Sequence, residues 1–159
     1  MKNQKGFSLI ELLVVVIIIA IIAAIAIPSL LASRRAANES SAIATLRTIH
    51  SAQMTYQATA GNRTNFAADG PALFGQGLLD SLFNNATPSK SGYDYTIVGT
   101  NGPGAEHCAS ADPSSASTGT NYFGVSNENG GVVVTDAAAT LGCNAGTLQG
   151  AGAPGTPVE

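Results

Sequence analysis

The sequence lacks most of what a catalytic, metal-binding or nucleic-acid-binding protein needs. Two of its 159 residues are cysteines, and charged residues make up only 11% of it. Two cysteines without clustered histidines are too few for a zinc site. No basic stripe is present to neutralise phosphates, and the formal net charge is −3. The aspartates have no calcium-loop spacing, and no phosphate-binding glycine pattern occurs. We therefore expect no enzymatic activity, cofactor, metal or nucleic-acid partner.

Charge is almost absent from the first part of the chain. Between residues 7 and 33 the one charged residue is Glu11, and every side chain over residues 12–27 is apolar. A helix over residues 7–27 would be about 30 Å long, which matches the hydrocarbon core of a bilayer. This pattern predicts a membrane-spanning helix followed by a soluble domain.

The orientation of this helix follows from the residues before it. Lys2 and Lys5 should stay in the cytoplasm, which places the rest of the chain outside. An ordinary signal peptide is the alternative reading. The apolar run is longer than the usual 7–15 residues, however, and no small-x-small cleavage site follows it.

Glu11 is the unusual residue of the apolar run. A carboxylate at the centre of a membrane helix costs about 2.5–3.5 kcal/mol, and less near the interface. Cleavage between Gly6 and Phe7 would create an α-amino group one helical turn from Glu11. That amine points along the helix axis of its own chain, so a neighbouring chain displaced along the axis is better placed to offer it.

The segment KGFSLIEL over residues 5–12 resembles the class III signal sequence of type IV prepilins and pseudopilins. The resemblance implies that prepilin peptidase removes the leader, residues 1–6, by cutting after Gly6. It also implies N-methylation of Phe7 and pairing of Glu11 with the methylated amine of an adjacent subunit. Many members of that family carry a glycine midway along this helix.

The long helix should continue beyond the apolar run. This chain has Ala20 where relatives have the glycine, so local melting on assembly would centre on Pro28. We expect residues 7–28 to form the transmembrane and filament-core part and residues 29–60 an amphipathic part, with a stop at Gly61. The expected apolar stripe of the second part consists of Ala42, Ile43, Leu46, Ile49, Ala52, Gln53 and Tyr56.

The strand and turn signals within residues 61–159 predict a small antiparallel sheet packed on this stripe. The fold class is α+β and resembles the pilin fold, with the apolar half of the helix projecting and a disulfide-closed C-terminal region. The loop 109–120 and the tail 144–159 are rich in small residues and should be flexible. The expected elements are a short helix at Leu78–Phe83, strands at Tyr93–Val98, Tyr122–Val125 and Val132–Thr135, and a hairpin turn at Asn129–Gly131.

The histidines and cysteines do not suggest catalysis. His50 lies near the apolar stripe and should be structural. His107 and Cys108 are adjacent, and adjacent side chains on a strand point apart. Outside the cytoplasm Cys108 and Cys143 most simply form a disulfide.

The resemblance implies a structural subunit of a type IV pilus that serves motility, adhesion or DNA uptake. Its implied partners are other copies of the chain in a helical filament, prepilin peptidase, the pilus assembly machinery and the membrane before assembly. It implies a single-pass inner-membrane protein with a cytoplasmic N-terminus, and later an extracellular pilus or fimbrium. The main alternative is a pseudopilin of a type II secretion system, disfavoured because a disulfide-closed end resembles pilins. A minor tip pilin and a membrane-anchored enzyme are further alternatives.

Overall fold

The computed structural model describes residues 6–136, 141–149 and 156–158. The chain divides into two compact units, Met1–Arg34 and Arg35–Glu159. The helices are α1 (Leu9–Ala58), α2 (Gly70–Gly75) and a 3-10 helix (Ser81–Asn84). The strands are β1 (Ser89–Lys90), β2 (Tyr93–Gly99), β3 (His107–Pro113), β4 (Tyr122–Ser126), β5 (Val134–Asp136), β6 (Gly142–Asn144), β7 (Thr147–Gln149) and β8 (Thr156–Pro157).

Helix α1 has nearly the predicted bounds. Pro28 lies inside it, where the missing N–H leaves one helical hydrogen bond unmade without ending the helix. The helix ends next to Gly61, whose N–H donates to the Tyr56 carbonyl at 2.8 Å. Asn62 then has a φ of 53°, a left-handed conformation that cannot continue a helix. The stop predicted from Gly61 is therefore confirmed.

The apolar stripe of α1 packs on the sheet as predicted. Ala42, Leu46 and Ile49 are fully buried, and the flanking Ile43 and Tyr56 are partly buried against the same core. The sheet contributes Tyr93, Tyr95, Ile97, Ala109, Ala111, Phe123 and Val125 to that core. An α+β architecture with a helix on an antiparallel sheet is thereby confirmed.

Gln53 is a polar member of the stripe, and both of its polar atoms are used. Its Nε2 donates to the Ala67 carbonyl at 2.9 Å, and its Oε1 accepts from the Ala67 N–H at 2.9 Å. Both residues are fully buried. The amide therefore fixes the loop after α1 to the helix without leaving a buried polar group unpaired.

Replacing Gln53 with leucine should lower the free energy of unfolding by about 3 kcal/mol. The substitution leaves two buried backbone groups of Ala67 without partners, and each costs about 1–3 kcal/mol. Urea unfolding of the full chain in detergent measures the change. Gln57→Leu is the matched control, because the Gln57 side chain is only half-buried and makes no hydrogen bond within the described residues. Equal effects of the two changes would contradict the prediction.

The main sheet is antiparallel throughout, and its described strands follow the order β1-β2-β3-β4-β5-β8. Alternate side chains face opposite sides. On β3, Ala109 and Ala111 face the α1 side, and Cys108 and Ser110 face the other. The turn predicted at Asn129–Gly131 lies between β4 and β5, and β5 begins two residues later than predicted.

Strand β3 corrects the predicted flexible loop over residues 109–120. Residues 109–113 lie in this strand, and its residues 107–111 are all buried. Small side chains are required here because the strand is covered on both faces. Alanine and serine have low β-propensity, so the sequence did not indicate a strand here.

The rest of the predicted loop, residues 114–120, is bound to α1. Asn38 Nδ2 donates to the Thr118 carbonyl at 2.9 Å. A Glu39 carboxylate oxygen accepts from the Thr120 N–H at 3.1 Å. Polar residues of the helix thus fix the loop to α1, in addition to the hydrogen bonds that Ser115 and Thr118 make within the loop.

The C-terminal part covers the second face of the sheet. Strands β6 and β7 pair as a hairpin that contacts β2, β3 and β4. The predicted disulfide between Cys108 and Cys143 is present, with Cα atoms 5.7 Å apart. This bond joins the hairpin to β3, which lies inside the sheet, rather than to an edge strand. Leu148 of the hairpin lies on Gly124. A Cβ added to Gly124 would be 2.7 Å from the Cδ2 atom of Leu148.

Two further predictions need correction. The short helix expected at Leu78–Phe83 is a 3-10 helix that begins three residues later, at Ser81, and is capped by Asp80. Helix α2, capped by Asp69, precedes it and was not predicted. The tail predicted to be flexible contains β7 and β8. Residues 150–155 and 159 of that tail lie outside the described residues, as do Lys2 and Lys5 of the predicted leader.

Candidate functional site

The surface of α1 before Arg34 is apolar on every side. Its large apolar side chains, from Phe7 to Leu31, are 44% to 87% exposed. A helix that packs one face on its own domain would bury a stripe and show polar residues elsewhere. By its length and composition this stretch is able to cross a membrane. It therefore requires lipid or other apolar helices around it.

Glu11 lies in the first turn of α1. The Ser8 carbonyl accepts from the Glu11 N–H at 3.1 Å and from the Leu12 N–H at 3.3 Å, and the helix begins at Leu9, two residues after the predicted start at Phe7. The carboxylate is exposed and lies near the positive end of the helix dipole. Such a placement stabilises an anion by about 0.3–1 kcal/mol.

Glu11 does not prevent membrane insertion. Leucine, isoleucine and valine each favour insertion by about 0.3–0.6 kcal/mol at the helix centre. The aliphatic residues from Leu12 to Ile27 together exceed the cost of one carboxylate near the helix end, which is below about 3 kcal/mol. The helix is compatible with lipid and carries one group that lipid does not satisfy.

Gly6 and Phe7 precede the helix. Both are exposed, and neither is in regular structure. A Cβ added to Gly6 would meet nothing within 4 Å. Nothing in the described part of the chain therefore requires glycine at this position.

The histidines form a second polar feature, which the sequence did not predict as a pair. His50 Nδ1 lies 3.0 Å from His107 Nε2. Burial lowers the pKa of His107 to about 4, with the nearby His50 as a second cause, and burial also lowers the pKa of His50. The structural role expected for His50 fits its half-buried position.

The structure does not bring His107 and Cys108 together as a Cys–His pair. His107 faces α1, whereas Cys108 faces the hairpin and is bonded to Cys143. No group of three or more histidine, cysteine, aspartate or glutamate side chains in the described ranges is placed to hold a metal ion.

Comparison with known proteins gives two matches. Residues 1–27 match the model of the prokaryotic N-terminal methylation motif. The chain is 34% identical over 84 residues to the type IV wide pilus major component PilA4 of Thermus thermophilus. That match covers 53% of this chain and 62% of the relative, less than two thirds of its length. No solved structure matches the chain. The resemblance to type IV pilins that residues 5–12 predicted is confirmed.

Proposed function

We propose that this type IV pilin-like chain is a structural subunit of a type IV pilus and polymerises through its N-terminal helix. The observation that carries the proposal is the apolar surface of α1 before Arg34, on which Glu11 is the one charge. Burying a fully exposed leucine or isoleucine side chain is worth about 1.5–3 kcal/mol. Lipid supplies that burial before assembly, and copies of the same helix supply it in the filament.

Glu11 sets the register between subunits. After cleavage behind Gly6, Phe7 carries the new amino group four residues before Glu11, an axial distance of about 6 Å. Within one chain the amine points along the helix axis, away from the carboxylate. A neighbour shifted along the axis brings its amine beside Glu11, where an apolar environment strengthens the attraction of opposite charges.

The exposed Gly6–Phe7 junction supports processing by prepilin peptidase. Because no described residue crowds Gly6, the glycine serves a molecule outside this chain. A peptidase that must bring its catalytic groups close to the backbone is such a molecule, since glycine permits close approach.

The remaining chain belongs outside the cytoplasm in this proposal. The positive-inside preference of Lys2 and Lys5 directs it there, and the Cys108–Cys143 disulfide suits an oxidising compartment.

The edge strands of the main sheet are poorly suited to pairing between molecules, which favours association through the helix. The edge strands β1 and β8 are two residues each, and they contain Lys90 and Pro157. Short edges with lysine or proline discourage strand pairing between molecules. The sheet therefore offers little for polymerisation, which leaves that role to α1.

Mass spectrometry of surface filaments tests the proposal. The main filament protein should be this chain, beginning at N-methylated Phe7. A chain that begins at Met1, or filaments made of another protein, would contradict it. If this chain is processed but found only in the cell envelope, the pseudopilin alternative is supported instead.

A Gly6→Val variant is expected to remain as uncleaved precursor in the inner membrane, with filaments absent. An added side chain obstructs the peptidase but meets nothing in the chain itself. The intact mass reports cleavage directly. Gly75→Val is the control, because its added Cβ also meets nothing within 4 Å and should leave processing unchanged. Normal cleavage of the Gly6 variant would contradict the expectation.

A further inference from the structure

The His50–His107 pair joins three parts of the soluble unit. His50 belongs to α1, and His107 is the first residue of β3. The turn between β4 and β5 is tied to the same place, because the Asn127 side-chain carbonyl accepts from the His107 N–H at 2.7 Å. Gly131 of that turn lies on the His50 ring, which an added Cβ would strike. The pair therefore connects the helix, the central strand and the turn.

The hydrogen bond between the rings depends on their protonation. At 3.0 Å one nitrogen must carry a proton and the other must offer a lone pair. One added proton preserves this arrangement, because a singly charged pair still has one acceptor. Two added protons remove the acceptor and place two positive charges in contact.

His107 resists the second proton for a geometric reason. The residue is fully buried, and its Nδ1 has no hydrogen-bond partner within the described residues. Its other ring neighbour is Phe66, in an edge-on contact with centroids 4.7 Å apart. A doubly protonated pair would thus bury a positive charge on His107, whose Nδ1–H has no hydrogen-bond partner among the described residues.

We propose that the His50–His107 pair is an acid-sensitive latch. It holds α1 against the start of β3 and the β4–β5 turn while at least one imidazole is neutral. It releases them when both imidazoles are protonated.

The charged groups nearest in sequence do not cancel this effect. Arg47 precedes His50 by one turn of α1, Glu106 precedes His107, and Glu128 lies in the β4–β5 turn. None of them is hydrogen-bonded to either imidazole in the described ranges. Asp112, farther along β3, has a raised pKa because of burial and Asp94, and so favours the folded state on acidification. The effect of Asp112 on the pH dependence of stability is therefore opposite to that of the histidine pair.

The direction of the pH dependence follows from the lowered pKa values. In the unfolded chain the pKa of His107 is about 6.5, but in the folded protein burial lowers the pKa of His107 to about 4. The pair's contribution to stability is therefore complete above pH 6.5 and is lost as the pH falls toward 4. The shift corresponds to a change on the order of 100-fold in the unfolding equilibrium.

The test uses the full chain in detergent micelles. Imidazole nitrogen shifts followed by NMR between pH 7 and 3.5 give the pKa of each histidine. Urea unfolding at pH 7 and pH 4 is compared between the wild-type protein and a His50→Gln variant, whose amide retains hydrogen bonding but does not titrate. We expect His107 to stay neutral well below pH 6. We also expect the acid-induced rise of the unfolding constant to be smaller in the variant, because the variant lacks the titrating His50 and its effect on the pKa of His107, while the burial of His107 remains.

Two outcomes would overturn the latch. One is titration of His107 near pH 6.5 in the folded wild-type protein. The other is the same pH dependence of unfolding with and without His50. The wild-type titration decides the question even if the variant does not fold.

Discussion

Replacing Glu11 with glutamine is expected to abolish filaments while the protein still inserts in the membrane. Glutamine has nearly the same size but removes the charge that would attract the neighbouring amine at Phe7. Removal of a carboxylate lowers the cost of insertion by up to about 3 kcal/mol, so insertion should not suffer. Electron microscopy counts the filaments, and resistance to alkaline extraction reports insertion.

Two further variants sharpen this test. Glu11→Asp retains the charge but shortens the side chain, so it should assemble better than Glu11→Gln. Ser33→Ala removes a hydroxyl whose one hydrogen bond among the described residues is to the Ser29 carbonyl of its own helix, and this variant should assemble normally. Wild-type filament numbers with Glu11→Gln would show that the charge is not needed. A loss of insertion would show that Glu11 acts at an earlier step.

The helix, its packed face and the processing motif could be predicted because each depends on local sequence. The apolar run, the 3-4 spacing around Leu46 and the stop at Gly61 are separate signals with known physical causes. The two cysteines allowed one intramolecular pairing. These features did not require knowledge of what packs on them.

Strand β3 and the hairpin could not be predicted, because their residues reflect contacts distant in sequence. Ala109 and Ser110 are small because one faces α1 and the other faces the hairpin. Gly124 is needed where Leu148 crosses the sheet. The hairpin turn consists of Ala145, with a φ of 48°, and Gly146, with a φ of 85°, so the sequence carries only the second half of the usual Asn-Gly signal.

The candidate site, like the fold, could be predicted only in part. Glu11 stood out as the one charge of an apolar run. The contact between His50 and His107 depends on the register of β3 against α1, and the sequence gives no sign of that strand. A pair formed across two elements is invisible when one element is missed.

Removal of the disulfide by a Cys108→Ala, Cys143→Ala double change should lower the free energy of unfolding by about 4 kcal/mol. The bond spans a sequence separation of 35 residues, and the chain-entropy model gives this value for a loop of that length. Domains of this size have a net stability of about 5–15 kcal/mol. The loss is therefore large enough to reduce the number of filaments as well.

Alanine is the appropriate replacement, because Cys108 is fully buried. A serine there would add the cost of a buried hydroxyl, about 1–3 kcal/mol, and would obscure the effect of the cross-link. Urea unfolding of the double variant should coincide with that of reduced wild-type protein. Amide exchange should accelerate most in β6 and β7, since the hairpin is then held on the sheet by packing contacts, such as that of Leu148 with Gly124, without a covalent bond. If denatured, unreduced protein releases two titratable thiols, or if unfolding is unchanged by reduction, the bond does not stabilise this domain.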